Sequence, residues 1–239
     1  MTASPQLRPC DVLAIGAHPD DVEIAAAGTL LLLLAAGHTA SIVDVTRGEM
    51  GSRGTVADRD AEAKAAAARL GVLERVNLGC RDTGVTVDDA TTTLFVAALR
   101  QARPQLLLAP HRHDVHPDHV ATATLAEKAF FLAGLKNFAP QLGAPHRPAL
   151  FLRYPGNRHV EPTLAVDIAA VVAGKAEVLR CYRSQLNPPD RGHLVQGLDV
   201  LERAEVRDRF HGARIGTAAA EPFWHDGPLP VRAAQLLPS

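Results

Sequence analysis

The chain has 239 residues, and its 47% hydrophobic and 21% charged content is typical of a folded protein and excludes a mostly disordered chain. The formal net charge of −1 provides no basic excess to hold a nucleic-acid backbone and no polybasic segment to dock on a membrane. Three widely spaced cysteines argue against a disulfide scaffold and favour a reducing, cytoplasmic compartment. The longest apolar run, residues 29–36, is shorter than the roughly 20 residues that a membrane-spanning helix needs.

Along the chain, short apolar runs alternate with stretches of helical character. Apolar runs bounded by polar residues predict strands, and alanine-rich or amphipathic stretches ended by glycine or proline predict helices. The predicted strands are residues 11–17, 41–45, 72–78, 105–110, 148–154 and 164–168. The predicted helices are residues 19–36, 58–70, 88–102, 120–135, 169–182 and 199–214, and residues 222–238 are predicted to be an extended tail. This alternation favours an α/β fold with a mostly parallel sheet and helices on both faces, formed as one domain over residues 1–239.

Two polar clusters follow predicted strands. His18-Pro-Asp-Asp21 comes directly after the first strand, and His116-Pro-Asp-His119 lies just beyond the strand at residues 105–110. Ligands of open parallel sheets bind at the carboxyl ends of the strands, so the clusters meet if their strands are neighbours. Each cluster alone has a structural explanation, as a helix cap or a surface turn. Together they predict a metal site, because two histidines and a carboxylate can hold Zn²⁺ and leave a position for water.

Further candidates surround this edge of the predicted sheet. The glycine-rich loop at residues 48–54, which contains Glu49, follows the second strand. Arg59 begins the next helix and could pair bidentately with a substrate carboxylate, although an exposed helix arginine explains it equally well. Gln185 leads into a proline-rich loop at residues 185–197 and could contact substrate, with packing or capping as the alternative.

Other chemistries have little support in the sequence. No Gly-x-Ser-x-Gly elbow, Walker A or Gly-x-Gly-x-x-Gly motif occurs, and the cysteines lie outside both histidine clusters. His111 and His113 could be alternative metal ligands or positioning residues, but packing at the rim of the site explains them better.

The stretch Ala17-His-Pro-Asp-Asp-Val-Glu23, taken with His116-Pro-Asp-His119, resembles the signature of the LmbE-like (PIG-L) family of zinc-dependent N-acetylglucosamine deacetylases. The similarity extends over residues 11–236, nearly the whole chain. Residues 46–55, Arg59 with its helix, and Tyr182-Arg-Ser-Gln185 resemble the bacillithiol-pathway branch, whose members deacetylate N-acetylglucosaminyl-malate.

The resemblance implies a metal site and a base. It implies that His18, Asp21 and His119 bind the metal, which is Zn²⁺ in the family, with Fe²⁺ or another divalent ion as an alternative. It also implies that Asp20 is the general base that deprotonates the attacking water. A Rossmann-like three-layer fold, with the active site at the carboxyl ends of the strands, follows from the same resemblance.

The resemblance also implies roles around the metal. His116 would stabilise the oxyanion or act as the acid, oriented by Asp118. Arg59 would bind the malate carboxylate, with Glu49 and Gln185 as further substrate contacts. The expected partners are a small-molecule N-acetylglucosaminyl substrate and further copies of the chain in a homo-oligomer, such as a hexamer, with neither nucleic acid nor membrane.

Two departures from the family pattern concern substrate binding. Val115 stands where members often have a basic residue before the second motif, and no tyrosine occurs near residues 197–198 to assist the oxyanion. The acetylated substrate therefore stays open at this point. A mycothiol-type conjugate or a chitooligosaccharide is an alternative, as is a non-enzymatic module that binds a sugar or nucleotide.

Overall fold

The computed structural model describes residues 6–51, 53–186 and 199–229. Its central sheet has five strands in the order β3-β2-β1-β4-β5, and every neighbouring pair is parallel. The strands are β1 (Val12–Gly16), β2 (Ala40–Thr46), β3 (Glu74–Cys80), β4 (Leu106–Pro110) and β5 (Leu150–Tyr154). The predicted α/β fold with a mostly parallel sheet is therefore confirmed.

The helices follow the strands as the alternation predicts. They are α1 (Asp21–Ala35), α2 (Val56–Leu70), α3 (Asp89–Ala102), α4 (Pro117–Leu132), α5 (Val172–Leu179) and α6 (Val200–Ile215). Local sequence explains their ends: Thr55 and Asp58 form a capping box at the start of α2, and Gly71 ends that helix with a left-handed backbone. Among the described residues, no helix combines the length and apolarity needed to cross a bilayer.

A second, small sheet differs most from the sequence-based expectation. The strands β6 (Leu164–Asp167) and β7 (Ala220–Phe223) pair in antiparallel fashion. The sequence Ala-Glu-Pro-Phe of β7 overlaps the predicted extended tail and carries no strand signal of its own, because it contains a proline and a buried glutamate. The predicted helix at residues 169–182 is also shorter, since short 3₁₀ turns flank α5 on both sides.

The central sheet is packed on both faces, which gives three layers. Alternate side chains of a strand point to opposite faces, so Leu13 and Ile15 of β1 belong to one core and Val12 and Ala14 to the other. Helices α3 and α4 cover the first face, and α1, α2 and α5 cover the second. Such burial on both sides explains why the strands are continuous apolar runs in the sequence.

The strand order places β1 beside β4, with β2 on the other side of β1. The chain therefore leaves β1 towards one edge of the sheet and later returns to β4 on the opposite side. Carboxyl ends of strands at such a change of direction frame a crevice where α/β proteins bind ligands. The two histidine clusters follow these two strands, so the topology brings them together.

A buried ion cluster joins α1, α5, α6 and β7. The ammonium of Lys175 lies 2.6 Å from Asp208 Oδ2 and 2.7 Å from Glu221 Oε1. Glu221 also accepts the backbone N–H groups of Gly28 and Thr29 in α1, at 2.8 Å and 2.7 Å. These contacts satisfy a glutamate that has no exposed surface, and they fix the small sheet to the helices.

His211 of α6 is expected to make stability depend on pH. Burial, with Arg207 and Arg214 nearby, lowers the pKa of His211 from 6.5 to about 4. The unfolded chain therefore binds this proton at a higher pH than the folded chain, and the free energy of unfolding falls as the pH drops from 6.5 towards 4. In urea unfolding at several pH values, the free energy of unfolding should fall less between pH 6.5 and 4 for His211→Gln than for the unmodified chain. The exposed His38→Gln serves as the control, and an unchanged slope for His211→Gln would contradict the prediction.

Candidate metal and catalytic site

The turn after β1 positions the first cluster. The backbone N–H of His18 donates to Asp21 Oδ2 at 2.8 Å, which fixes the carboxylate at the first residue of α1. Asp20, between them and α1, has a φ of 110°, a left-handed conformation that is rare for residues other than glycine. Such strain costs about 1–3 kcal/mol and is typical of functional sites.

The three predicted metal ligands come together around Asp21. Its Oδ2 lies 3.4 Å from His18 Nδ1, and its Oδ1 lies 3.3 Å from His119 Nε2. His116 is a further neighbour, because one ring nitrogen each from His18, His116 and His119 all lie within 4.8 Å of one another. The residues are separated by about a hundred positions in the chain, so this proximity is a product of the β1–β4 pairing.

In both His18 and His119, the ring nitrogen that does not face Asp21 contacts other carboxylates. His119 Nδ1 lies 3.1 Å from Asp114 Oδ2, while His18 Nε2 lies 3.1 Å from Asp82 Oδ1 and 3.3 Å from Asp118 Oδ2. Carboxylates at these positions fix the ring orientation of metal-binding histidines. Asp82 and Asp114 are not among the residues predicted from the sequence. Their signals were the position of Asp82 just after the third strand and that of Asp114 inside the histidine-dense turn.

His18, Asp82 and Asp118 form a second group whose ligand atoms are close enough to share an ion. Backbone donors already hold these carboxylates, however. Asp118 accepts from the N–H groups of Thr83 and Val85, at 2.7 Å and 3.2 Å, and Asp82 accepts from Met50 at 2.8 Å. These two aspartates therefore position His18, and Asp21 stays the predicted carboxylate ligand of the metal.

The structure corrects the expected relation between Asp118 and His116. The carboxylate of Asp118 contacts His18, whereas His116 is held by the Asp118 backbone, whose N–H donates to His116 Nδ1 at 3.2 Å. Burial, together with the nearby His18 and His119, lowers the pKa of His116. A neutral ring that accepts at Nδ1 carries its proton on Nε2, so His116 is prepared to donate a hydrogen bond.

The charges of the site fit a divalent cation. Burial opposes charging of both rings, but Asp118, Asp21 and Asp82 raise the pKa of His18 to about 12, and Asp21 and Asp114 raise that of His119 to about 10. Without a metal, these protons supply the positive charge that the buried carboxylates require. A divalent ion would supply the same charge and displace the protons, as metal binding to histidine requires. Two imidazoles and a carboxylate are also a common donor set for such ions.

Asp20 and Arg59 form a pair beside the metal ligands. Arg59 Nη1 donates to Asp20 Oδ2 at 3.2 Å, and both side chains are buried. Burial raises the pKa of Asp20 to about 6, although Arg59 opposes the shift. Gly48 permits this arrangement, because a Cβ at that position would lie 3.1 Å from Arg59 Nη2. The role of Arg59 towards a substrate carboxylate stays a prediction, and its observed contact is with the predicted base.

The two other predicted substrate contacts lie in the surrounding loops. Glu49 Oε1 accepts the backbone N–H of Asp82 at 2.8 Å, so Glu49 helps to position the carboxylate behind His18. Gln185 ends a 3₁₀ turn and donates to Ser184 Oγ at 2.9 Å. Their contacts with substrate stay predictions. The proline-rich loop at residues 185–197 falls largely in residues 187–198, outside the described residues.

His111 of the second turn packs at the rim of the site. His111 Nδ1 accepts the backbone N–H of His113 at 3.0 Å, and its ring packs edge-on against Trp224 with centroids 5.1 Å apart. These contacts agree with the preferred interpretation of His111 as a rim residue.

Asp114→Asn is expected to weaken metal binding about 10-fold or more, because loss of an outer carboxylate typically costs 10–100-fold in metal affinity. The amide oxygen can still accept a hydrogen bond from His119 Nδ1, but the amide NH2 then replaces Oδ1, which accepts from the backbone N–H of His116. The change therefore removes the charge and one backbone hydrogen bond. Competition with a fluorescent chelator measures the affinity, with the exposed Asp89→Asn as the control. An affinity equal to that of the unmodified chain would show that Asp114 does not support His119.

The sequence of this chain is similar to that of known deacetylases, and the similarity includes the residues of this site. Residues 13–130 match the family model PIG-L, described as GlcNAc-PI de-N-acetylase, and this range includes all the metal-site residues. A 1D-myo-inositol 2-acetamido-2-deoxy-alpha-D-glucopyranoside deacetylase from Streptomyces avermitilis is 28% identical over 243 residues, covering 73% of this chain and 82% of the relative. This chain covers only 58% and 56% of the length of two further relatives with the same name.

Two solved structures extend the comparison to the fold. The conserved protein TT1542 from Thermus thermophilus has a TM-score of 0.84 and 35% identity, covering 94% of this chain and 98% of that chain. N,N'-diacetylchitobiose deacetylase from Pyrococcus horikoshii has a TM-score of 0.78 and 27% identity, and the match covers 89% of this chain and 82% of that chain. Motifs, fold and site geometry agree, and the chain belongs to the PIG-L family of deacetylases.

Proposed function

We propose that the protein is a metal-dependent N-deacetylase that hydrolyses the acetamide of an N-acetylglucosaminyl conjugate to acetate and a free amine. The observation that carries this proposal is the Asp21 carboxylate held between His18 and His119, with the buried carboxylate of Asp20 at the adjacent residue. The names of the relatives support the reaction class, since they denote deacetylases of glucosamine-type compounds.

His18, Asp21 and His119 would hold the metal, for which we propose Zn²⁺, with Fe²⁺ as the alternative. When bound, such an ion polarises a carbonyl and lowers the pKa of water to about 7. The protein's own contribution is to hold both histidines at one orientation, through Asp114 behind His119 and through the carboxylates behind His18.

Asp20 and His116 would divide the proton chemistry. With a pKa of about 6, Asp20 is largely ionised at neutral pH and can take a proton from the water that attacks the acetamide carbon. His116 donates its Nε2–H to the oxyanion that develops on the carbonyl oxygen. Asp20 then returns the proton to the amide nitrogen as the C–N bond breaks, so that acetate and the amine leave.

For the substrate, we favour N-acetylglucosaminyl-malate, on the resemblance of residues 46–55 and Arg59 to the bacillithiol branch. The inositol conjugate named for the Streptomyces avermitilis relative is the second candidate. A chitooligosaccharide is the third, on the name of the Pyrococcus horikoshii structure.

The test is acetate release from these three substrates and from plain N-acetylglucosamine, with and without a chelator. Chelator-sensitive release from at least one conjugate, restored by Zn²⁺ or Fe²⁺, is the expected result. Release that survives full removal of the metal would contradict a metal-dependent mechanism. Absence of any release from metal-loaded protein would favour the alternative of a sugar- or nucleotide-binding module.

Homo-oligomerisation and a cytoplasmic location belong to the same proposal. Light scattering after size-exclusion chromatography measures the mass of the assembly, and we expect a multiple of the 25.4 kDa chain, such as a hexamer. A monomer at micromolar concentration would contradict the oligomer.

A further inference from the structure

A cavity of about 410 Å³ opens beside the metal site, and Asp21 and His119 form part of its wall. Most of the rest of the wall comes from the segment after β5 and from α6, which lie outside the residues matched by the family model, with Ile24 and Ala25 of α1 completing it. Its volume is within the range of small-molecule sites. An acetamide that reaches Asp21 and His119 therefore leaves the remainder of its molecule in or beside this cavity.

The cavity wall is cationic. It includes the side chains of Arg158, Arg203 and Arg207, and Asp21 is the single carboxylate among the described residues that line it. Arg203 is half-buried, and its hydrogen bond within the wall is with a neutral group, Asn157 Oδ1, at 3.2 Å. Arg203 also lies within electrostatic range of Asp20 and Asp114, which connects this wall to the metal and catalytic site.

Two buried nitrogen atoms of the wall lack partners. Among the described residues, neither Arg207 Nε nor His211 Nδ1 has a hydrogen-bond partner. Other atoms of Arg207 are held by the Ile24 carbonyl and by Asp208. Asp208 is shared with the buried Lys175, so it does not neutralise Arg207 fully. An unpartnered arginine N–H in a wall of excess positive charge is a feature of a site for an anion.

The outer wall carries rings. His159 and His211 are stacked with centroids 6.0 Å apart, and Phe210 meets the ring of His211 edge-on at 5.0 Å. Phe210 is 53% exposed and forms part of the cavity wall. Flat apolar rings next to arginines suit a ligand that is part sugar and part acid.

We propose that this cavity binds an anionic group, a carboxylate or a phosphate, on the part of the substrate that is attached to the glucosamine, with Arg203 as its main contact. The inference rests on the proposed deacetylase function and refines its substrate class. It adds a second basic element to Arg59, whose guanidinium is engaged with Asp20.

The test compares Arg203→Ala with Arg209→Ala, a replacement of an exposed arginine on the same helix. The substrates are N-acetylglucosaminyl-malate, N-acetylglucosamine 1-phosphate and neutral N-acetylglucosamine. Arg203→Ala should lower kcat/KM about 10–100-fold for the anionic substrate that the cavity accepts and less than about 2-fold for the neutral sugar, because charged hydrogen bonds are the strong ones. Arg203→Lys should recover part of the loss.

A loss for malate alone identifies a carboxylate site, and a loss for the phosphate alone identifies a phosphate site. Equal losses for all three substrates, or none, would overturn the proposal. If no compound is hydrolysed, the proposed deacetylase function is wrong. Calorimetric titration with the same compounds then tests whether the cavity binds an anion. Weaker anion binding by Arg203→Ala than by Arg209→Ala then supports the subsite, and equal binding removes it.

Discussion

Replacement of Asp20 by asparagine is expected to lower kcat about 10²–10⁴-fold, the usual contribution of a general base, while metal content stays unchanged. Asparagine has nearly the same shape and is among the residues that best tolerate a left-handed backbone, so the φ of 110° is accommodated. Its amide oxygen can still accept the hydrogen bond from Arg59. What the variant lacks is a group that can take a proton from water.

Acetate release and elemental analysis of the same preparation measure this prediction. The exposed Asp60→Asn on α2 is the matched control, because it removes a carboxylate far less buried than Asp20. A variant that keeps more than about a tenth of the wild-type kcat would remove Asp20 from the role of base. Loss of the metal with the activity would instead make Asp20 a metal ligand, contrary to the assignment of His18, Asp21 and His119.

Replacement of Lys175 by methionine is expected to destabilise the fold by about 3–5 kcal/mol, the usual effect of removing one partner from a buried ion pair. Methionine fills most of the same volume, so the loss is electrostatic. Glu221, 0% exposed at its side chain, would be left without its cation, and Asp208, 6% exposed, would keep only Arg207 at 3.3 Å among the described residues. Glu221 would keep the N–H groups of Gly28 and Thr29, which lessens the penalty without removing it.

Urea unfolding of the two variants Lys175→Met and Lys64→Met tests this expectation. Lys64 is exposed on α2, and surface substitutions of this kind usually change stability by less than about 0.5 kcal/mol. A double-mutant cycle with Glu221→Gln then separates the ion pair from packing. A change below about 1 kcal/mol for Lys175→Met, or additive effects in the cycle, would show that the cluster is not coupled.

The sequence by itself determined the layered fold and the main donors of the metal site. Its apolar runs are long enough to be strands buried on both faces, and its helix ends carry local signals such as the Thr55–Asp58 capping box. His18-Pro-Asp-Asp21 and His116-Pro-Asp-His119 could be assigned to one edge of a sheet, since parallel strands place their carboxyl ends together. These signals are local, or follow from a simple rule of topology.

Only the tertiary structure decided which carboxylate serves which ring. Asp82 is 64 residues from His18 and contacts it at 3.1 Å, and Asp118 contacts the same ring instead of its neighbour His116. Arg59 turned out to meet Asp20, and β7 became a strand only through its pairing with β6. Contacts of this kind depend on ångström-scale packing between distant segments, which neither residue spacing nor hydrophobic periodicity encodes.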